Sequence, residues 1–181
     1  MTIAIIIGAI LLLGILFTLW SAKNTVTGVC PQCNNKIGLL KGLGCCSHCG
    51  EPLRKQGDHL VPVENGFVSD SFNFSISMGK LKDPKKWQTT WQGRCCICGN
   101  AAIGNKKINV KTIGGSTGPL LGPQVNITEK SAFEVGYCNG HKDGIRFVYP
   151  PGFGNTKHTD QCYLYFRSVD FYRHFMSQNR R

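Results

Sequence analysis

The stretch Arg94–Asn100, RCCICGN, sets three cysteines within four positions, and Val135–His141, VGYCNGH, repeats the outer spacing with a histidine in place of the last cysteine. In the first fragment the pair with two residues between its members and a glycine after it is Cys95 and Cys98, with Cys96 as one of the two; in the second, Cys138 and His141 have the same spacing. Such a pair forms a knuckle, a tight turn whose amides face the sulfur and whose following glycine accepts the positive backbone angle that closes it. Two knuckles supply four donors, here three thiolates and one imidazole, which is the tetrahedral shell that Zn2+ prefers. The 39 residues between Cys98 and Cys138 have room for a strand pair that returns the second knuckle to the first.

The same pattern occurs earlier. CPQC at Cys30–Cys33 is followed, after 12 residues, by CSHCG at Cys46–Gly50. Cys30, Cys33, Cys46 and Cys49 make a four-thiolate shell, leaving Cys45 out of register and His48 inside the second knuckle as turn residues. A block of this size has little core of its own, so metal binding supplies folding energy. The expected cofactor is Zn2+, two per chain, although a thiolate tetrahedron also accepts iron. His158 and Cys162 lack a second pair, which makes them a surface histidine and an inward-facing strand cysteine.

Working outward, the first twenty residues, MTIAIIIGAILLLGILFTLW, carry no charge and approach the ~20 apolar residues that a membrane-crossing helix needs. Trp20 suits a headgroup boundary, and Lys23, Lys36 and Lys41 follow while no basic residue precedes. These features predict an uncleaved single-pass anchor in the cell membrane, with the N-terminus outside and the C-terminal domains cytoplasmic. A reducing compartment would keep the ten cysteines available to metal rather than to disulfides. The formal charge of +11, from 21 basic and 10 acidic residues, lies wholly after this run and would draw anionic lipid or nucleic acid.

The remaining pattern is mostly strand-like. Phe72, Phe74, Ile76 and Met78 alternate with polar residues; KKINVKTIG and ITEKSAFEVGYC form two runs around the loop GSTGPLLGPQ; GIRFVYPPGFG begins as a strand; QCYLYFRS turns Cys162, Leu164 and Phe166 one way. VDFYRHFMSQN reads as a closing helix capped by Ser168, with Val169, Tyr172, Phe175 and Met176 on one face. Trp87 and Trp91, four apart after Pro84, suggest one helical turn beside Lys80, Lys82, Lys85 and Lys86, a segment suited to an anionic surface or a partner.

The organisation expected is therefore α+β: a transmembrane anchor at 1–22, a zinc ribbon at 23–54, a linker at 55–70, and at 71–181 a second zinc-binding, mostly β domain with a C-terminal helix. The block from Cys30 to Gly50 resembles a zinc ribbon. The block from Arg94 to Asn179, with CCICGN, GYCNGH and LYFRSVDFYRHFMSQN, resembles Cys-x-x-Cys, Tyr-Cys-x-x-His modules of bacterial membrane-associated proteins of unassigned function. That resemblance implies no activity.

No HExxH or GxxxxGK[ST] motif occurs, and acidic residues are scattered. Full shells of protein ligands characterise structural zinc, whereas catalytic zinc keeps a water. The sequence thus points to a non-enzymatic protein that binds a partner, as adaptor or accessory subunit of a membrane complex or at the membrane surface. The alternatives are a tethered nucleic-acid binder, which NNKIGLLKGLG disfavours because its lysines stand among aliphatics only, and a thiol redox sensor using the spare cysteines.

Overall fold

The computed structural model describes residues 2–89, 91, 93–117, 125–148 and 162–181. The chain divides into two compact units, Met1–Pro62 and Val63–Arg181.

The first unit begins with helix α1, Thr2–Asn24. Among the described residues no helix is long and apolar enough to cross a membrane. This corrects the expected transmembrane helix, and with it the single-pass membrane partnership, the cell-membrane localisation and the outside-to-cytoplasm orientation. What the chain builds instead is a set of small β-sheets with a short C-terminal helix.

Strand β1, Thr25–Val29, pairs antiparallel with β2, Lys36–Leu40, with Thr27 opposite Gly38. A three-stranded antiparallel sheet follows from β3, Leu43–Cys45, β4, Pro52–Gln56, and β5, His59–Pro62. In β2 the alternation of exposed Lys36, Gly38 and Leu40 with buried Ile37 and Leu39 is the two-residue period of a half-buried strand. The core is small: Ile37, Leu39, Leu53 and Leu60 close around Cys30 and Cys46. A Cβ on Gly28 would stand 2.8 Å from the Leu60 side chain, so β1 must carry glycine there to approach so closely.

The second unit contains a three-stranded sheet in the order β6, Phe74–Ser77, then β10, Tyr163–Phe166, then β9, Ile145–Val148. A long hairpin joins β7, Gly104–Thr117, to β8, Val125–Tyr137, with an irregularity between Gly114 and Ser116. Helix α2, Val169–Asn179, covers the inner face of the sheet. Ser168 caps it by accepting a hydrogen bond from the Phe171 amide at 3.3 Å. Val169, Tyr172, Phe175 and Met176 are buried as their spacing requires, and Phe171 joins them because aromatic neighbours surround the helix on more than one side. Phe166 sits at the centre, its ring 5.3 Å from Phe175 and 5.4 Å from Tyr172.

Among the described residues, Trp87–Thr89 and Trp91 are not helical, which departs from the turn expected around Trp87 and Trp91. Only Pro84–Lys86 turns, as one 3-10 stretch whose N-cap Asp83 accepts from the Lys85 amide, and Trp87 is already extended. Both indoles nevertheless reach the same core. Trp87 lies 5.4 Å from Phe133 and 5.5 Å from Phe175, and Trp91 lies 5.2 Å from Phe171. The indole N–H of Trp87 donates to the Lys82 carbonyl at 2.8 Å, which ties this ring back to its own strap, and both indoles are half-buried. The strap 80–88 is sewn to the end of α2: the Lys82 amide donates to the Asn179 carbonyl, and Asn179, fully buried, exchanges bonds with both backbone groups of Gln88.

Candidate metal centres

Three of the four knuckles are copies of one turn. In each, the amide four residues on donates back to the carbonyl of the first cysteine: Asn34 to Cys30 at 2.8 Å, Gly50 to Cys46 at 2.9 Å, Gly99 to Cys95 at 3.0 Å. In each, the amide of that cysteine donates to the carbonyl five residues on, in Asn35, Glu51 and Asn100. The residue closing the turn has a positive φ: +57° at Asn34, +81° at Gly50, +73° at Gly99. Asparagine tolerates this left-handed region better than most side-chain-bearing residues, so Asn34 stands where the pattern asks for glycine. The fourth knuckle is tighter, with the His141 amide donating to the Cys138 carbonyl at 3.1 Å.

These turns bring two groups of donors together. Cys30, Cys33, Cys46 and Cys49 form one; Cys95, Cys98, Cys138 and His141 form the other; within each, every ligand atom lies within 4.8 Å of the rest. Cys30 and Cys49 sulfurs stand 3.7 Å apart, Cys33 and Cys46 sulfurs 3.6 Å, Cys98 and Cys138 sulfurs 3.7 Å. Cys138 Sγ lies 3.5 Å from His141 Nδ1. A tetrahedral Zn2+ with Zn–S distances of ~2.3 Å has S–S edges of about 3.8 Å, and with Zn–N of ~2.0 Å an S–N edge of about 3.5 Å. The separations match those edges, and they are far too long for the ~2.05 Å of a disulfide. None of the ten cysteines, all of which are described, is in a disulfide. Two distinct four-donor groups fit two zinc ions.

The electrostatics are those of knuckles. Asn35, by its side chain first and its backbone amide second, holds the Cys33 thiol down to about 6. Burial pushes Cys49 up to about 12, and it also raises Cys30 and Cys98. Burial acts upward on Cys95 as well, but hydrogen bonds from the Cys98 and Ile97 amides outweigh it and leave the thiol below its ordinary value. Backbone donors thus face sulfurs in both centres, the arrangement that stabilises thiolate toward a metal.

The remaining candidates fall outside the shells. Cys96 is buried, its sulfur 2.4 Å from where a Cβ on Gly144 would lie, so it packs against the opposing chain. Cys45 ends β3 and His48 is exposed within its knuckle, neither being one of the four donors. Cys162 is buried just before β10, and His158 lies outside the described residues. The likeness to a zinc ribbon is supported to the extent of two zinc-fitting cysteine groups. Comparison with protein-family models, curated proteins and solved structures finds no match to this chain.

Proposed function

We propose that this is a non-enzymatic zinc protein that acts as an adaptor or accessory subunit, its two metals holding binding surfaces in shape. The observation that carries this reading is the completeness of both shells, each with four protein donors at tetrahedral separations. A shell without a vacant position cannot activate water or polarise a substrate. The first unit depends on its ion most directly, because two of the six residues in its buried cluster are themselves ligands. The thiol-sensor alternative is disfavoured at Cys96, which is 2 % exposed and whose thiol burial pushes up to about 12, the reverse of a reactive cysteine.

Cobalt substitution of the full chain tests the reading. Closed shells, one of four thiolates and one of three thiolates with an imidazole, give tetrahedral spectra that azide, cyanide and added water-displacing anions leave unchanged. A spectrum that shifts on adding such a ligand reveals an open position and overturns the structural role.

A further inference from the structure

The inner face of the β6–β10–β9 sheet is filled by the aromatic core, but its outer face presents aromatics of its own. Along β10, Leu164 and Phe166 are fully buried while Tyr163 and Tyr165 point the opposite way, Tyr163 being 39 % exposed. Their rings are 6.2 Å apart and inclined at 44°. Residues directly opposite in an antiparallel ladder share a face, and Arg146 of β9 lies opposite Tyr165. Arg146 also lines a groove of about 440 Å3 between β9 and the start of β7, whose walls include Lys106, Lys107 and the half-buried rings of Phe72 and Phe147. Charge here is unbalanced. Asp143, the acidic residue of the groove, is ion-paired to Lys106 and also feels Arg167 and Lys142. Among the residues that line the groove, one carboxylate, Asp143, stands against three cations, Lys106, Lys107 and Arg146.

We propose that this face binds single-stranded nucleic acid, with bases stacked on Tyr163 and Tyr165 and the phosphates running past Arg146 into the basic groove. Neighbouring rings on the outer face, Tyr163 exposed and Tyr165 half-buried, offer flat apolar area that a base can cover, and the cations beside them meet the backbone that every base carries. A duplex hides its base faces in its own stack, so the tyrosine pair would gain nothing from it. An acidic peptide would satisfy the cations but leave the rings in water. The inference rests on the reading that the protein acts by binding, and it names the partner's class.

The test uses the full-length, zinc-loaded chain and fluorescein-labelled oligo-dT and oligo-U of about 12 nucleotides, followed by anisotropy at several salt concentrations. Single strands are expected to bind better than a duplex of equal length. Tyr163→Ala and Tyr165→Ala should each weaken binding about tenfold or more, whereas the corresponding changes to Phe retain it. Arg146→Gln should lower the slope of log affinity against log salt by about one phosphate's worth. The proposal is overturned by absence of single-strand binding at about 50 mM salt. It is equally overturned by duplex binding as tight as single-strand binding, by Ala variants that bind like the wild type, or by a poly-Glu peptide that displaces the oligonucleotide while binding independently of the tyrosines. Should an Ala variant fail to fold, Arg146→Glu on the exposed strand edge must still weaken binding about tenfold or more, and unchanged affinity sinks the idea. Loss of binding counts only in variants that keep two zinc ions. An intact cobalt spectrum with no binding refutes this inference alone, and a ligand-sensitive cobalt spectrum refutes the structural role of the metals instead.

Discussion

Asn179 is the residue through which the 80–88 strap is fixed to helix α2. Its side chain is fully buried and makes three hydrogen bonds: Nδ2 to the Gln88 carbonyl at 2.8 Å and to the Phe175 carbonyl at 3.0 Å, and Oδ1 from the Gln88 amide at 2.7 Å. Asn179→Ala removes all three. The Phe175 carbonyl lies one turn back, where the helix ladder also uses it, so that bond counts least. The two bonds to Gln88 are worth ~1 kcal/mol each, and stranding their backbone partners adds to the cost, giving a loss of about 2–3 kcal/mol. Urea unfolding in zinc-saturated buffer, read by the fluorescence of Trp87 and Trp91 against the aromatic core, measures it. Ser177→Ala, exposed two positions earlier, should cost less than about 0.5 kcal/mol. Hydrogen exchange should show the Gln88 amide losing protection selectively. A loss below about 0.5 kcal/mol for Asn179→Ala, or a Gln88 amide as protected as before, would refute the view that this side chain secures the strap.

Cys98→Ser should release one of two zinc ions while Cys96→Ser keeps both, as read by elemental analysis, because only Cys98 is among the four donors; equal loss in the two variants would show that the ligands are misassigned. Gly136→Ala would bring a Cβ within 2.3 Å of the Arg94 backbone carbonyl, and since backbone cannot swing aside the variant should lose ~1–3 kcal/mol and weaken zinc retention at the second centre. Normal stability and two zinc ions in that variant would contradict the packing described. Asp143, whose pKa is lowered by its hydrogen bond and ion pair with Lys106, contributes stability present above the ordinary carboxylate range and lost as pH falls through its depressed value. Asp143→Asn should therefore cost less than about 1 kcal/mol at neutral pH, less at high salt, and nothing in strong acid, by denaturation at each pH.

The eight donors are legible in the sequence because metal chemistry fixes spacing locally: a knuckle must put two ligands three positions apart whatever surrounds it. Helix α2 and strand β10 are legible for a similar reason, each showing its own period over a full element. Asn34 carries no such signal, since it performs glycine's task in the first knuckle and the motif looks for glycine. The tryptophan pair misleads because four-residue spacing suits a helix, while an extended strap running along α2 can bring Trp87 to Phe175 and Trp91 to Phe171 equally well. Short strands such as β3, β4 and β5 leave no signal, because their pairing is imposed by the metal and by distant partners rather than by residues such as Arg54, Lys55 and Gln56. The amino-terminal apolar run shows the opposite hazard, in which composition alone suggests an anchor that the described helix does not provide.

The second centre takes its two halves from either side of the β7–β8 hairpin, whose ladder starts at Gly104 opposite Tyr137, next to Cys138. The ion therefore works as a clasp at the base, and a change made between Thr117 and Val125 falls at the opposite end of the ladder from it. Lengthening the connection between two paired strands adds only about 0.6 kcal/mol for each doubling, so a peptide or reporter spliced in there should leave zinc stoichiometry at two. In engineering terms the hairpin is an arm with a locked hinge, and its far end is where this chain can be extended at least cost to the fold.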